Sequence, residues 1–246
     1  MPERRQFLAA VSLLSLDPGD AEGAEETIYI PSRHVETDRA FLAGFMEEYS
    51  FAMVATAKGG IRLTNVPTLF TRGAAAGGWG KIWFHLAKNN HQNQALDGSS
   101  ETLIVFHGPH GYISPNWYAN TASVNAVPTW NFAIVHASGK AQRLDDDDLF
   151  ARNLSKLVAK NEGKYGGGGS WDFGKLPDSY LKGMREGITQ YEMTIEKVEA
   201  KFKLGQERSP ADQESMLKGM TAAAKQERGL PELSRAYFSM NAARGK

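Results

Sequence analysis

Side chains able to hold a ligand gather in three stretches of the sequence. The first is His85-Leu86-Ala87-Lys88-Asn89-Asn90-His91-Gln92, where a strand gives way to a helical turn. Lys88 brings a positive charge and the free N–H groups of a helix start bring dipoles, so the spot suits a phosphate, or is simply a solvated turn. The second runs from Tyr112-Ile113-Ser114-Pro115-Asn116-Trp117-Tyr118 to Pro128-Thr129-Trp130-Asn131. Two Trp and two Tyr beside Ser, Thr and Asn can wall a flat aromatic ligand, or pack as ordinary core. The third is Lys201-Phe202-Lys203-Leu204-Gly205-Gln206-Glu207-Arg208 at a strand end. Its alternating cations can neutralise an anion, or discourage pairing at a solvated sheet edge.

Other chemistries lack their residues. The chain has no cysteine, which excludes thiolate zinc, iron–sulfur and cysteine-nucleophile sites. The six histidines are His34, His85, His91, His107, His110 and His136. His107 and His110 are spaced like a ligand pair, but no H-E-x-x-H helix accompanies them. Asp145 to Asp148 opens a helix, where four carboxylates suit the dipole better than a metal. There is no G-x-S-x-G elbow, no dinucleotide fingerprint after the first strand, and no G-K-[ST] ending to the Gly166–Gly169 run. Lys plus Arg and Asp plus Glu are 28 each, and zero net charge argues against reading duplex DNA through a basic surface. No apolar run approaches the roughly 20 residues of a membrane helix. A phosphate corner, an aromatic wall and amide donors together suit a flavin mononucleotide better than a peptide or a nucleic acid.

The elements that must position these groups read mainly as β. Strands are expected at Thr27 to Pro31, Phe51 to Ala57, Ile61 to Phe70, Gly80 to His85, Thr102 to Phe106, Thr129 to Leu144 with a bulge or bend near Gly139, and Ile188 to Leu204. Pro109 to Val127 reads as irregular. Helices are expected from Thr37 as N-cap through Tyr49, for one or two turns over Asn90 to Leu96, from Asp145 to about Lys160, from Pro177 to Arg185, and from the Ser209 cap with Pro210 at its first position. Seven strands on mostly short connections, without β–α alternation, favour an antiparallel barrel with added helices, an α+β fold.

Three units are expected: an N-terminal extension at 1–26, a barrel domain at 27–220 and a helical tail at 221–246. Arg4-Arg5-Gln6-Phe7-Leu8 and the apolar residues after it resemble a twin-arginine export signal. Glu3, Asp17 and Asp20 fit that reading poorly. The two alternatives are a cytoplasmic protein with an N-terminal extension and an exported one.

The same stretches carry a resemblance. Tyr29-Ile30-Pro31-Ser32, Asn65-Val66-Pro67, His85-Leu86-Ala87-Lys88-x-Asn90-x-Gln92, Gly108-Pro109-His110-x-Tyr112-Ile113-Ser114-Pro115-x-Trp117-Tyr118, Val127-Pro128-Thr129-Trp130-Asn131-Phe132 and Lys201-Phe202-Lys203-Leu204-x-Gln206 together resemble the PaiB-like family of FMN-binding negative transcriptional regulators, in the flavin split-barrel superfamily. The likeness runs from about Tyr29 to about Met220. Asn65 stands where the family often has His, and His91 where it usually has Pro. The resemblance implies an antiparallel FMN-binding split barrel and a homodimer with FMN at the subunit interface. It places the phosphate near His85, Lys88, Asn90 and Gln92. The ring would lie near Thr56 and the stretch Thr64, Asn65 and Pro67, with Trp130, Asn131, Lys203, Gln206 and Arg208 coming from the second subunit. A nicotinamide electron donor is a further implied partner. Relatives of this fold that bind haem suggest a second cofactor, with His34, His91 or His110 as candidate axial ligands.

Overall fold

The computed structural model describes residues 26–73, 78–119, 126–167, 171, 173–223 and 229–245. The twin-arginine stretch, part of the expected loop at 71–78, Asn120, Asn125 and the end of the glycine run lie outside them.

Seven antiparallel strands form one sheet in the order β2-β1-β5-β6-β7-β4-β3. They are β1 (Phe51–Thr56), β2 (Arg62–Pro67), β3 (Leu69–Arg72), β4 (Gly80–Ala87), β5 (Glu101–Ile113), β6 (Thr129–Leu144) and β7 (Ile188–Lys203). The edge strands β2 and β3 are consecutive in the chain and separated only by Thr68, so the sheet must curl until its edges meet. That makes it a barrel with an unpaired seam between β2 and β3, the α+β split barrel the sequence implies.

The seam has a local cause. The sequence reads Ile61 to Phe70 as one strand, but Pro67 has no N–H to continue a ladder. At the next residue Thr68 N and Oγ1 both donate to Ser50 O, at 2.8 Å each, and this buried threonine turns the chain from one edge to the other. Two other expectations are corrected. The start of the stretch expected to be irregular, Pro109 to Ile113, is strand: β5 continues to Ile113 by absorbing Gly108-Pro109 in a bulge between His107 and His110. Thr27 to Pro31 is not a strand. It crosses β7, tied by Thr27 N to Glu199 Oε2 at 3.2 Å, and leads to a short 3-10 helix at Ser32–His34.

The helices are α1 (Arg39–Glu48), α2 (Asp147–Tyr165), α3 (Asp178–Glu186), α4 (Pro210–Ala222) and α5 (Leu230–Ala243). The α1 cap is Asp38 rather than Thr37: its Oδ1 accepts from Phe41 N at 2.9 Å. Ser209 and Pro210 open α4 as the sequence indicates. The expected turns over Asn90 to Leu96 shrink to a four-residue 3-10 helix, His91–Gln94.

The main core fills the barrel and its α1, α4 and α5 flank, with Phe84, Phe106, Phe202, Ile104 and Met46 fully buried. Helix α5 belongs to this packing. Tyr237 stacks on Phe202 with centroids 5.3 Å apart, and Arg244 pairs with Glu36 at 2.9 Å and also with Asp38. A second cluster under α2 joins Trp83, Phe150, Leu154 and Leu157.

Candidate functional site

Gln92 ties the seam end of the barrel together. Its Nε2 donates to Val54 O at 3.0 Å, with longer contacts to Arg62 O and Thr56 Oγ1, and its Oε1 accepts from Thr64 Oγ1 at 2.6 Å. Asn90 completes the network: Nδ2 donates to Thr64 Oγ1 at 3.1 Å and Oδ1 accepts from Gln92 N at 2.9 Å. The structure thus brings Thr56, Thr64, Asn90 and Gln92 together, and their polar atoms are largely spent on one another. The 3-10 helix is also short, and one of its first N–H groups is already capped by Asn90.

His85 lies on the other face of its strand. Alternation along β4 sends Phe84 and Leu86 into the barrel and Trp83 and His85 under α2. There Trp83 Nε1 donates to Gln190 Oε1 at 3.0 Å, and the imidazole of His85 sits 5.4 Å from the Trp83 ring. His85 Nδ1 is buried with no hydrogen-bond partner among the described residues, and burial pushes its pKa down. Lys88 is exposed on the loop after β4.

The outer face of β2, β1, β5, β6 and β7 is a second, broader surface. Strand register puts Asn65, Met53, Val105, His136 and Glu199 in one row across it. Apolar side chains on this face stand in solvent: Phe51 is 69% exposed, Leu63 56% and Trp130 54%. Asn65 is exposed and Pro67 half-buried beside them. Trp130 meets Tyr112 edge-on at 6.2 Å. Lys201 and Lys203 project from the same face of β7. Lys203 Nζ donates to Thr129 Oγ1 at 2.5 Å, and burial lowers the pKa of both lysines.

The remaining candidates point elsewhere. Asn131 is buried, with Nδ2 3.6 Å from Met216 Sδ. Gln206 holds the loop after β7, donating through Nε2 to Phe202 O at 2.6 Å and Arg33 O at 2.9 Å, and accepting from Leu204 N. Arg208 lies over the Tyr118 ring at 4.5 Å.

Sequence reasoning missed one group on the outer face. Thr27 Oγ1 donates to Glu199 Oε2 at 2.7 Å and lies 2.8 Å from His136 Nδ1. The single hydroxyl proton goes to the carboxylate, so His136 Nδ1 is the donor to Thr27 and Nε2 carries the lone pair. Burial lowers the pKa of His136 against the opposing charge of Glu199. These residues are far apart in the chain, and only the strand register could have joined them.

Along β7 the candidates separate widely. His85 pairs with Gln190, whereas Lys203 lies thirteen residues further on beside Phe132. At strand spacing that is roughly 40 Å of chain, shortened by the bend at the Ser138/Gly139 bulge.

Fold and surface together define an antiparallel split barrel with an apolar, cation-flanked outer face. Residues 28–197 match the sequence family described as "Putative FMN-binding domain", and the chain belongs to that family. It is 32% identical over 186 residues to protease synthase and sporulation protein PAI 2 of Bacillus subtilis, covering 75% of this chain and 85% of that one. An uncharacterized protein of Emericella nidulans is 30% identical over 145 residues, covering 54% of this chain and 57% of that one. Among solved structures, the flavocytochrome Anf3 from Azotobacter vinelandii aligns with TM-score 0.47 at 17% identity, over 69% of each chain.

The donor set of the outer face fits an FMN. Met53 and Leu63 offer an apolar platform for a flat ring, Asn65 an amide for its polar edge, and the exposed Lys88 or the lysines of β7 a charge for its phosphate. Among the described residues no group of three or more His, Cys, Asp or Glu could hold a metal, and no helix is long and apolar enough to cross a membrane.

Proposed function

We propose that this protein is a homodimeric flavoprotein that works in redox chemistry or redox sensing, with FMN held between two copies on the outer sheet faces. The observation that carries the dimer is the separation of the ligand-binding groups. Lys88 stands at the start of β7, where its N–H donates to Gly187 O at 2.8 Å. Trp130 and Lys203 stand at the other end of β7. One flavin is too small to touch both ends of one subunit, but a second copy related by a two-fold axis can bring its Trp130 and Lys203 to the first copy's Lys88. The exposed Phe51 and Leu63 give that contact its apolar area.

Bound FMN would supply hydride and electron transfer. The residues here position and shield it: Asn65 and Pro67 meet the ring edge, Lys88 and Lys203 hold the phosphate, and the neighbouring apolar side chains exclude water. His136, kept neutral by burial, presents the lone pair of Nε2 as a proton acceptor beside this face. The zero net charge favours redox over direct DNA reading.

The test is the flavin content of purified Lys88→Ala and Lys203→Ala proteins. Both are expected to lose most of their FMN while remaining folded. Unchanged flavin in both removes the assignment. Bleaching of the visible flavin bands by NADH or NADPH would mark the electron donor.

A further inference from the structure

A cleft of about 570 Å³ lies among the Ser32–His34 turn, the loop after β7, α4 and α5. Its size falls within the range of small-molecule sites. No outer-face residue lines it, but Gln206 and Arg208, which the resemblance assigns to the flavin, do. Arg33 and Arg208 give it positive charge, Tyr237 and Phe238 give it an apolar wall, and Gln213 and Asn241 give it amides.

Two polar atoms of this lining are buried without hydrogen-bond partners: Arg208 Nε and Asn241 Oδ1. The nearest ion-pair contact of Arg208 Nε is Glu207 Oε1 at 3.9 Å, too long for a hydrogen bond. Both atoms are shielded from bulk water, so solvent does not satisfy them, and leaving such groups unpaired is costly. One is a cationic donor and the other a neutral acceptor. Their complement is one molecule with an anionic acceptor at one end and a donor at the other. A planar guanidinium matches a carboxylate, and the aromatic wall calls for an organic body rather than a bare ion.

We propose that this cleft is a second ligand site, for a small organic carboxylate whose apolar body carries a hydroxyl or amino donor. It is separate from the flavin proposal, and the two fail independently.

Calorimetric titration of the full-length, flavin-loaded protein tests it with four probes: para-hydroxybenzoate, benzoate, para-hydroxybenzyl alcohol and inorganic phosphate. Para-hydroxybenzoate is expected to bind most tightly, benzoate about tenfold more weakly for want of the Asn241 contact, and the alcohol and phosphate not measurably. Asn241→Leu should abolish the difference between the two acids, and Arg33→Gln should weaken both about fivefold or more. Each variant should keep its wild-type melting temperature and FMN content. The proposal is overturned if neither acid binds at millimolar concentration, if the alcohol or phosphate binds as well as the acids, or if Asn241→Leu leaves the preference intact. Loss of FMN with acid binding retained would count against the flavin reading alone.

Discussion

Gln92 does at residue scale what no strand does: it joins β1, β2 and the chain after β4 through one side-chain amide. Only 1% of it is exposed, so its partners have no water to fall back on. Gln92→Met keeps the volume and deletes the bonds. Urea unfolding at neutral pH should show a loss of about 2–3 kcal/mol with an unchanged slope. A loss below about 0.5 kcal/mol, typical of a surface change, would show that the network is not what closes the barrel. His34 is a second buried residue with a measurable signature. It is 3% exposed, and its pKa is lowered to about 4, first by burial, with Arg33, Lys203 and Lys201 adding to the shift and Glu207 opposing it. Between pH 6.5 and about 4 the unfolded chain therefore binds the proton that the folded chain refuses. Stability from this residue is complete above the unfolded value, falls as pH drops through that window, and levels below about 4, for a total of at most about 3 kcal/mol. His34→Gln should flatten the urea midpoint against pH in this window. An equally steep dependence in the variant would assign it to His85 and His136, whose pKa values move in the same direction.

At the scale of elements, the legible features were those written in local pattern. The alternation in β6, the Ser209-Pro210 start of α4 and the bend at Gly139 all follow from neighbouring residues. Gly139 sits where the β6–β7 register shifts, and a Cβ there would lie 2.2 Å from Thr194 O. Gly139→Ala must push two central strands apart, and an unfolding loss of about 1–3 kcal/mol is expected. A neutral result in thermal melts would mean the bulge accommodates a side chain after all. The features that escaped depend on partners distant in sequence. Thr68 breaks the expected long strand because Ser50 O waits for both of its donors. The Gly108-Pro109 bulge lets β5 run on because β6 is long enough to pair with its far end. Period and propensity alone carry neither fact.

At the scale of the whole molecule, the candidate site was legible as residue types and not as a place. The sequence picks out Lys88, Asn65, Trp130 and Lys203 together with Gln92, Asn131 and Gln206, but only the structure shows that the last three are bonded within the fold and that Lys88 and Lys203 stand at opposite ends of β7. That division predicts a specific behaviour of mixed dimers. In a symmetric dimer with composite sites, Lys88→Ala damages both sites, and so does Lys203→Ala. A mixed dimer of the two variants has one site with both lesions and one with neither. If the two chains assort at random after co-expression, half the dimers are mixed, and about a quarter of the wild-type FMN content should return. Tagging the chains differently and purifying only the mixed species should raise this to about one flavin for two chains. Leu63→Glu in both chains, which puts charge into the exposed apolar patch, should yield a monomer in sedimentation and abolish the recovery. Mixed dimers with no more FMN than either parent would mean that each subunit builds its site alone, and the division along β7 would then have no bearing on the flavin.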